Sequence, residues 1–80
     1  LDSTTGADYA AAEFLAGWLA LRFVNQPYAA FEHFERMYNN VQTPISRARA
    51  AYWAGRASES MRSPDIAMQW YQVAARYPTT

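Results

Sequence analysis

The sequence predicts an all-α fold of two tandem antiparallel helical hairpins, which is the organisation of an α-solenoid fragment. The first observation is an internal repeat: Gly17 and Gly55 lie 38 residues apart, and Pro27 and Pro64 lie 37 residues apart. A repeat of this period is typical of stacked helical hairpins. The second observation is that no segment shows the alternation and turns of a β-hairpin. We therefore predict one helical-repeat segment over residues 1–80, with one hairpin at about 7–39 and a second at about 44–77.

The first two helices are predicted from capping residues and from the break between them. The first is expected at about residues 7–24, with Thr5 as its N-cap and Asp8 near its positive end. Pro27 disfavours helical geometry in the residue before it but suits the first turn of a helix. The second helix is therefore expected at about residues 27–38, stopping at Asn39.

The third and fourth helices each begin at a capping residue followed by proline. Thr43-Pro44 predicts a helix at about residues 44–61, and Ser63-Pro64 predicts another at about residues 64–76. On the second and fourth helices, apolar residues recur at steps of three and four. These residues are Ala30, Phe34, Met37 and Tyr38, and Ala67, Trp70, Tyr71 and Ala74.

Two glycines lie inside predicted helices, where glycine costs about 1 kcal/mol relative to alanine. They are Gly17 and Gly55. We expect the partner helix to approach closely at each of them, with a large aromatic side chain fitting over the missing one.

The composition argues against several classes of function. Seven arginines balance seven acidic residues, and this neutrality argues against general nucleic-acid binding. The chain has no cysteine, and a single histidine, His33, with scattered acids is too small a ligand set for zinc. We therefore expect no metal and no cofactor. No apolar run approaches the roughly 20 residues of a membrane-spanning helix, so no membrane span is expected, and no signal peptide is recognised.

Two segments carry a resemblance to a known family. They read AEFLAGWLALRF at residues 12–23 and TPISRARAAYWAGRA at residues 43–57, with Trp70-Tyr71 further on. The chain resembles the helical superhelix of soluble lytic murein transglycosylases. Its second block is also similar to a tetratricopeptide-type repeat, through Gly55 and Ala67. The first block departs from that pattern by one extra residue between its glycine and the corresponding alanine.

The resemblance implies a bacterial, periplasmic protein whose parent chain cleaves peptidoglycan glycan strands without water and forms a 1,6-anhydro sugar. This segment would be a non-catalytic scaffold beside a lysozyme-like catalytic domain. The implied partners are the remaining repeats and catalytic domain of the parent chain, with glycan strands as a further candidate. The alternative is a TPR-like module that binds a protein or peptide and is unrelated to cell-wall cleavage. A lysozyme-like domain with a catalytic glutamate in the full gene product would distinguish the two.

No catalytic residue is predicted in this segment. The family's chemistry needs a glutamate followed by serine in a glycan cleft, and Glu59-Ser60 matches that dipeptide without the surrounding motifs. Glu32 and Glu35 share a helix face, but no opposing wall is visible that would form a cleft for acid–base work. We expect these carboxylates to be solvated and His33 to be packed or half-exposed.

One group of aromatic and charged residues is a candidate binding surface on the concave side of the predicted helical repeat. Residues of the third helix recur at steps of three and four, and aromatic residues mark the corresponding face of the first helix. The candidates are Phe14, Trp18, Arg22, Arg49, Tyr52, Arg56 and Glu59. Aromatic rings with arginines suit sugar rings, peptide carboxylates or a protein segment. The structural alternative is that Arg56 pairs with Glu59 and the rings pack against neighbouring repeats.

The first helix is apolar on nearly every side, which predicts that it is covered by neighbours. Two hairpins cannot supply that cover, and the chain begins at Leu1 rather than Met, which favours a segment of a longer protein. We expect the isolated chain to hide Phe14, Trp18 or Leu21 by forming a symmetric homodimer, since two-fold contacts are the commonest closed assembly.

Overall fold

Four helices follow one another, each packed antiparallel on the next. The computed structural model describes the backbone of residues 2–78 and the side chains of residues 6 and 8–78. The helices are α1 (Asp2–Arg22), α2 (Pro27–Asn40), α3 (Pro44–Ser60) and α4 (Pro64–Ala75), and there is no strand between residues 2 and 78. We call α1 and α2 the first hairpin, and α3 and α4 the second. The predicted all-α fold of two tandem hairpins is confirmed.

The helix starts show which of the predicted caps form. Thr43 accepts a hydrogen bond from the backbone nitrogen of Ser46 at 3.2 Å, as an N-cap does. Ser63 occupies the N-cap position of α4 without a capping hydrogen bond from its side chain. The prediction for Thr5 is wrong, because α1 begins at Asp2 and Thr5 lies within it. No proline fixes the start of α1, whereas each of the other three helices has one in its first turn.

Both hairpin turns use a non-glycine residue in the left-handed region. Asn25 has φ 56° and Arg62 has φ 61°. After α3, the nitrogens of Arg62 and Ser63 donate to the carbonyls of Glu59 and Ser58, each at 2.9 Å. This pattern is the Schellman motif, which normally places glycine where Arg62 stands. The turn therefore closes the second hairpin at some cost in backbone strain.

The two helical glycines lie against aromatic rings, as predicted. An ideal Cβ on Gly17 would lie 2.7 Å from the ring of Phe34, and one on Gly55 would lie 2.5 Å from the ring of Tyr71. Both distances are shorter than real Cβ contacts allow. In each hairpin, the absence of a glycine side chain thus lets the second helix rest its aromatic ring on the first.

The core lies between the hairpins, where α3 covers the first of these rings. Phe34 is fully buried with Ala30, Ala54 and Ala57. The ring of Trp53 sits 6.1 Å from Phe34. A second cluster of buried residues is formed by Met37, Val41 and Ala50. Small side chains on α3 and large ones on α2 therefore interdigitate, which is how close-packed interiors avoid voids.

The uncovered apolar residues of α1 differ from those expected. Phe14 and Leu21 pack against the core cluster and Trp18 is half-buried, so these three are already partly covered within the four helices. Their further covering by a partner copy stays a prediction. Leu15 and Leu19 of α1 are exposed instead, as are Phe23 and Val24, which follow the end of α1. The reason is that α2 and α3 together cover one side of α1 and leave the other side open.

Candidate functional site

The predicted candidates on α3 do form one surface with a residue of α1. The Arg49 guanidinium carbon lies 5.1 Å from the centre of the Phe14 ring. The Arg56 guanidinium carbon lies 5.2 Å from the Trp53 ring and 5.8 Å from the Tyr52 ring. We call these five residues the arginine–aromatic surface. At these distances the ring faces attract the guanidinium groups, whose remaining N–H groups can still bind a ligand.

The rings of this surface form a continuous row. Phe14 and Trp53 meet edge to face with their centres 5.9 Å apart, and Trp53 meets Tyr52 in the same manner at 5.6 Å. Phe14 and Trp53 are half-buried, whereas Tyr52 and Arg49 are exposed. The row therefore combines a rigid, packed base with accessible edges. Trp53 belongs to this surface although the sequence analysis did not select it, and its position next to Tyr52 was the available signal.

Hydrogen bonds hold the α4 side of the surface in place. Arg56 donates from Nη1 to the Tyr52 hydroxyl at 3.0 Å, and this bond raises the pKa of Arg56 above its ordinary value. Tyr71 donates its hydroxyl to Glu59 Oε1 at 2.6 Å. Burial, together with that bond to a carboxylate, raises the pKa of Tyr71 to about 12. The alternative pairing of Arg56 with Glu59 is not found; Arg56 bonds Tyr52 and Glu59 bonds Tyr71 instead.

Charge on this surface is positive and not neutralised by contact. Among the side chains of residue 6 and residues 8–78, the ion pairs all converge on Glu13, and none includes Arg49 or Arg56. The remaining predicted residues, Trp18 and Arg22, form a separate pair, with the guanidinium carbon 5.9 Å from the Trp18 ring. Trp18 also meets Phe23 edge to face at 5.4 Å. The structure thus pairs each of the three arginines named as candidates with at least one aromatic ring.

A second polar cluster joins α1 to α2 and was not predicted as a site. Glu13, with 14% of its side chain exposed, binds His33 Nδ1 at 2.7 Å through Oε1 and Arg36 Nε at 3.0 Å through Oε2. Because a carboxylate only accepts, His33 Nδ1 carries the proton. Arg36 Nη2 lies 3.1 Å from that nitrogen without a hydrogen bond between two donors. His33 is half-exposed, as expected.

The environment of Glu13 favours its ionised form. Burial opposes ionisation, but the hydrogen bonds from His33 and Arg36 outweigh it and hold the pKa of Glu13 below its ordinary value. An open cavity of about 380 Å³ adjoins the cluster, lined by Gly6, Tyr9, Glu13, Arg36 and Asn40. Because both carboxylate oxygens are already bonded, the cluster serves as a joint between the helices. Sequence spacing alone could not reveal it, since His33 and Glu13 are 20 residues apart.

The other carboxylates considered for chemistry lie at the surface. Glu32 and Glu35 are exposed on α2, which confirms that they are solvated. Within the described side chains, no three His, Cys, Asp or Glu residues come together as a metal-binding group would require. Over residues 2–78, none of the helices has the length and apolar character needed to cross a bilayer.

Comparison of the chain with protein-family models, with curated proteins and with solved structures gives no match.

Proposed function

We propose that this chain is a non-catalytic helical scaffold segment of a periplasmic peptidoglycan lytic transglycosylase, in which it shapes or supports engagement of the glycan strand. Two features support the proposal. The first is the sequence resemblance at residues 12–23 and 43–57. The second is the repeated packing of its two hairpins, which is the construction of an extended scaffold. Its partners are then the remaining repeats and the catalytic domain of the parent chain.

The arginine–aromatic surface is the observation that carries a role in glycan engagement. Its ring row offers apolar faces of the kind on which a sugar ring can lie. Arg49 and Arg56 flank the edge-to-face pair of Phe14 and Trp53 and carry N–H groups suited to carboxylates. Peptidoglycan combines both chemistries, since its sugars bear lactyl groups and peptides with free carboxylates.

Binding to soluble, uncross-linked glycan strands with intact peptides tests this role. We expect Tyr52→Ala and Arg49→Gln each to weaken binding by roughly threefold to tenfold, the effect of removing one stacking or charge-assisted contact. Tyr28→Ala and Arg76→Gln serve as matched controls, because both residues are exposed and lie outside the surface. Equal losses in the control variants, or no binding by the parent chain, would contradict the proposed role.

The non-catalytic assignment has its own test. The chain is expected to release no anhydro-muropeptides from purified peptidoglycan, because Glu59 is exposed on α3 and its carboxylate is bonded to a tyrosine. Product analysis by mass spectrometry checks this. Release of such products by the parent chain, together with its loss in Glu59→Gln, would overturn the assignment.

A TPR-like module that binds a protein or peptide is the second candidate. The observation that favours it is that Arg49 and Arg56 have no ion-pair partner among the described side chains. They lie seven residues, about 10 Å, apart along α3. Two carboxylates three residues apart on a peptide in the polyproline II conformation lie on the same side at a similar separation of about 9 Å. Tighter binding of a peptide with two glutamates at that spacing than of its glutamine counterpart, with no binding of glycan strands, would favour this candidate.

A further inference from the structure

The two hairpins carry the same ring pair at their corresponding positions. In the first, Phe14 and Phe34 lie 6.0 Å apart with their planes tilted by 49°. In the second, Tyr52 and Tyr71 lie 5.7 Å apart with a tilt of 41°. Tyr52 follows Phe14 by 38 residues and Tyr71 follows Phe34 by 37, which are the two repeat spacings of the sequence. The two pairs are therefore equivalent surfaces of one repeating unit.

The first ring pair is covered and the second is not. Trp53 of α3 lies over the first pair, 5.9 Å from Phe14 and 6.1 Å from Phe34. No corresponding residue lies over the second pair within residues 8–78, and Tyr52 is 42% exposed. The neighbouring Met68 is 56% exposed, whereas its equivalent, Phe31, meets Trp70 at 6.0 Å. We call Tyr52, Met68 and Tyr71 the trailing face.

The opposite end of the molecule presents the complementary half of the same contact. The residue of the first hairpin that corresponds to Trp53 lies 38 residues before it; it is Leu15, which is 53% exposed. Ala57 is fully buried against Phe34. The residue that corresponds to it in the first hairpin is Leu19, which is 40% exposed. We call Leu15 and Leu19 the leading face. The chain thus carries both halves of its own hairpin–hairpin interface, one uncovered at each end.

We propose that copies of this chain associate head to tail, with the leading face of one copy on the trailing face of the next. Leu15 then takes the place over Tyr52 and Tyr71 that Trp53 takes over Phe14 and Phe34. A second copy is the occupant because both matching halves belong to this sequence and continue an interface that already exists inside it. This inference goes beyond the proposed function and concerns the chain by itself. Neighbouring repeats of a parent chain would occupy the same two faces, and Tyr52 belongs both to the trailing face and to the arginine–aromatic surface, so head-to-tail contact and glycan binding compete for it.

The polar atoms of the trailing face are compatible with being covered. The Tyr52 hydroxyl already accepts from Arg56, and the Tyr71 hydroxyl already donates to Glu59. The Tyr71 proton and the Tyr52 oxygen therefore keep their partners when the rings are covered, whereas an unsatisfied buried group is costly. The contact joins two different faces, so it is heterologous and leaves a free face at each end of the assembly. The proposed arrangement differs from the symmetric dimer predicted from the sequence, and the experiment below distinguishes the two.

Two single variants and their mixture test the arrangement by sedimentation equilibrium. Leu15→Glu disables the leading face and Met68→Glu disables the trailing face; both residues are exposed, so neither change disturbs the core. We expect the parent chain to grow beyond dimer over a roughly hundredfold range of concentration up to about 1 mM. Each variant alone should stay monomeric, whereas their equimolar mixture should form dimer and nothing larger.

The controls separate this arrangement from other contacts. Tyr28→Glu places the same charge on an exposed position of α2 outside both faces and should leave growth unchanged. Circular dichroism and thermal unfolding verify that every variant folds. A parent chain that remains monomeric throughout overturns the proposal. A folded single variant that still dimerises by itself also overturns it, because that result indicates a symmetric contact through the intact face.

Discussion

The first hairpin and the second use the same contact between a glycine and an aromatic ring, but they bury it to different depths. Phe34 rests on Gly17 and is fully buried beneath Trp53, whereas Tyr71 rests on Gly55 and is only half-buried. The difference shows that the same contact between a glycine and a ring contributes more to the stability of the fold where neighbouring residues cover the ring. In the first hairpin the ring cannot move without disturbing α3, whereas in the second it can shift toward solvent.

The polarity of the two rings matches their different burial. Phe34 has no polar atom and lies in an entirely apolar cluster. Tyr71 keeps its hydroxyl at the surface, where Glu59 accepts its proton in a hydrogen bond. A buried hydroxyl at position 34 would need a partner that the cluster does not offer. The sequence therefore places phenylalanine where the ring is covered and tyrosine where it reaches water.

The largest expected difference between the hairpins comes from removing the rings. Phe34→Ala should lower the free energy of unfolding by about 3–5 kcal/mol, because it opens a cavity in the core. Tyr71→Ala should cost about 1–2 kcal/mol, since much of the space it leaves is open to solvent. Urea denaturation followed by circular dichroism measures both. Equal losses would show that the second hairpin packs as tightly as the first.

Placing a large side chain at the two glycines should also destabilise the first hairpin more than the second, but by a smaller margin. Gly17→Leu and Gly55→Leu should each cost about 1–3 kcal/mol through overpacking, with the larger loss at Gly17 because Phe34 has no room to yield. Gly6→Leu is the matched control, since nothing lies within 4 Å of a Cβ at Gly6. Thermal unfolding provides the comparison. A Gly17 or Gly55 variant that melts at or above the parent temperature would refute the contact argument.

Acid should weaken the first hairpin through Glu13. Because the native pKa of Glu13 is lowered, its contribution is complete above the ordinary glutamate pKa of about 4.3 and is lost as pH falls through the lower native value. Glu13→Gln should cost about 1–3 kcal/mol at pH 7, and this cost should shrink as the pH falls below the ordinary glutamate pKa. Glu35→Gln, at an exposed position, is the control. A cost that persists unchanged at low pH would exclude an ionic role.

Alkali should weaken the second hairpin through Tyr71. The pKa of Tyr71 is raised from 10.0 to about 12, so its neutral form stabilises the fold below pH 10 and this stabilisation is lost as pH rises through 12. Tyr71→Phe should cost about 1 kcal/mol at pH 7, with the gap to the parent closing above pH 10. Unfolding curves between pH 7 and pH 11 measure this, with the exposed Tyr28→Phe as control. A gap that widens in alkali would have the wrong sign.

The smallest expected effect distinguishes the two hairpin turns. Arg62→Gly should raise the free energy of unfolding by up to about 1 kcal/mol, because glycine adopts the left-handed conformation without strain. Asn25→Gly should change it little, since asparagine already tolerates that region. Urea denaturation of both variants checks the contrast. Destabilisation by Arg62→Gly would show that the arginine side chain outweighs the strain of its backbone.

Local signals in the sequence predicted the elements but only part of the surface. Proline and a capping threonine located the start of α3 because these residues act on their immediate backbone. Thr5 failed as a cap because no proline stops α1 from extending toward Asp2. The spacing of Arg49 and Arg56 placed them correctly on one helix face. Their ring partners could not be assigned fully, since Arg49 lies over Phe14, which belongs to a different helix.

The sequence by itself determined the number of helices, their order, the repeat spacing and the aromatic contact at each glycine, because each depends on short-range geometry or on an internal repeat. Only the tertiary structure decided which apolar residues of α1 are covered. Phe14 and Leu21 pack inward while Leu15 and Leu19 remain exposed. It also decided that Glu13 joins His33 and Arg36 across two helices. When a helix has apolar residues on every side, its sequence does not indicate which side is buried. The buried side of α1 is set by the positions at which α2 and α3 pack against it.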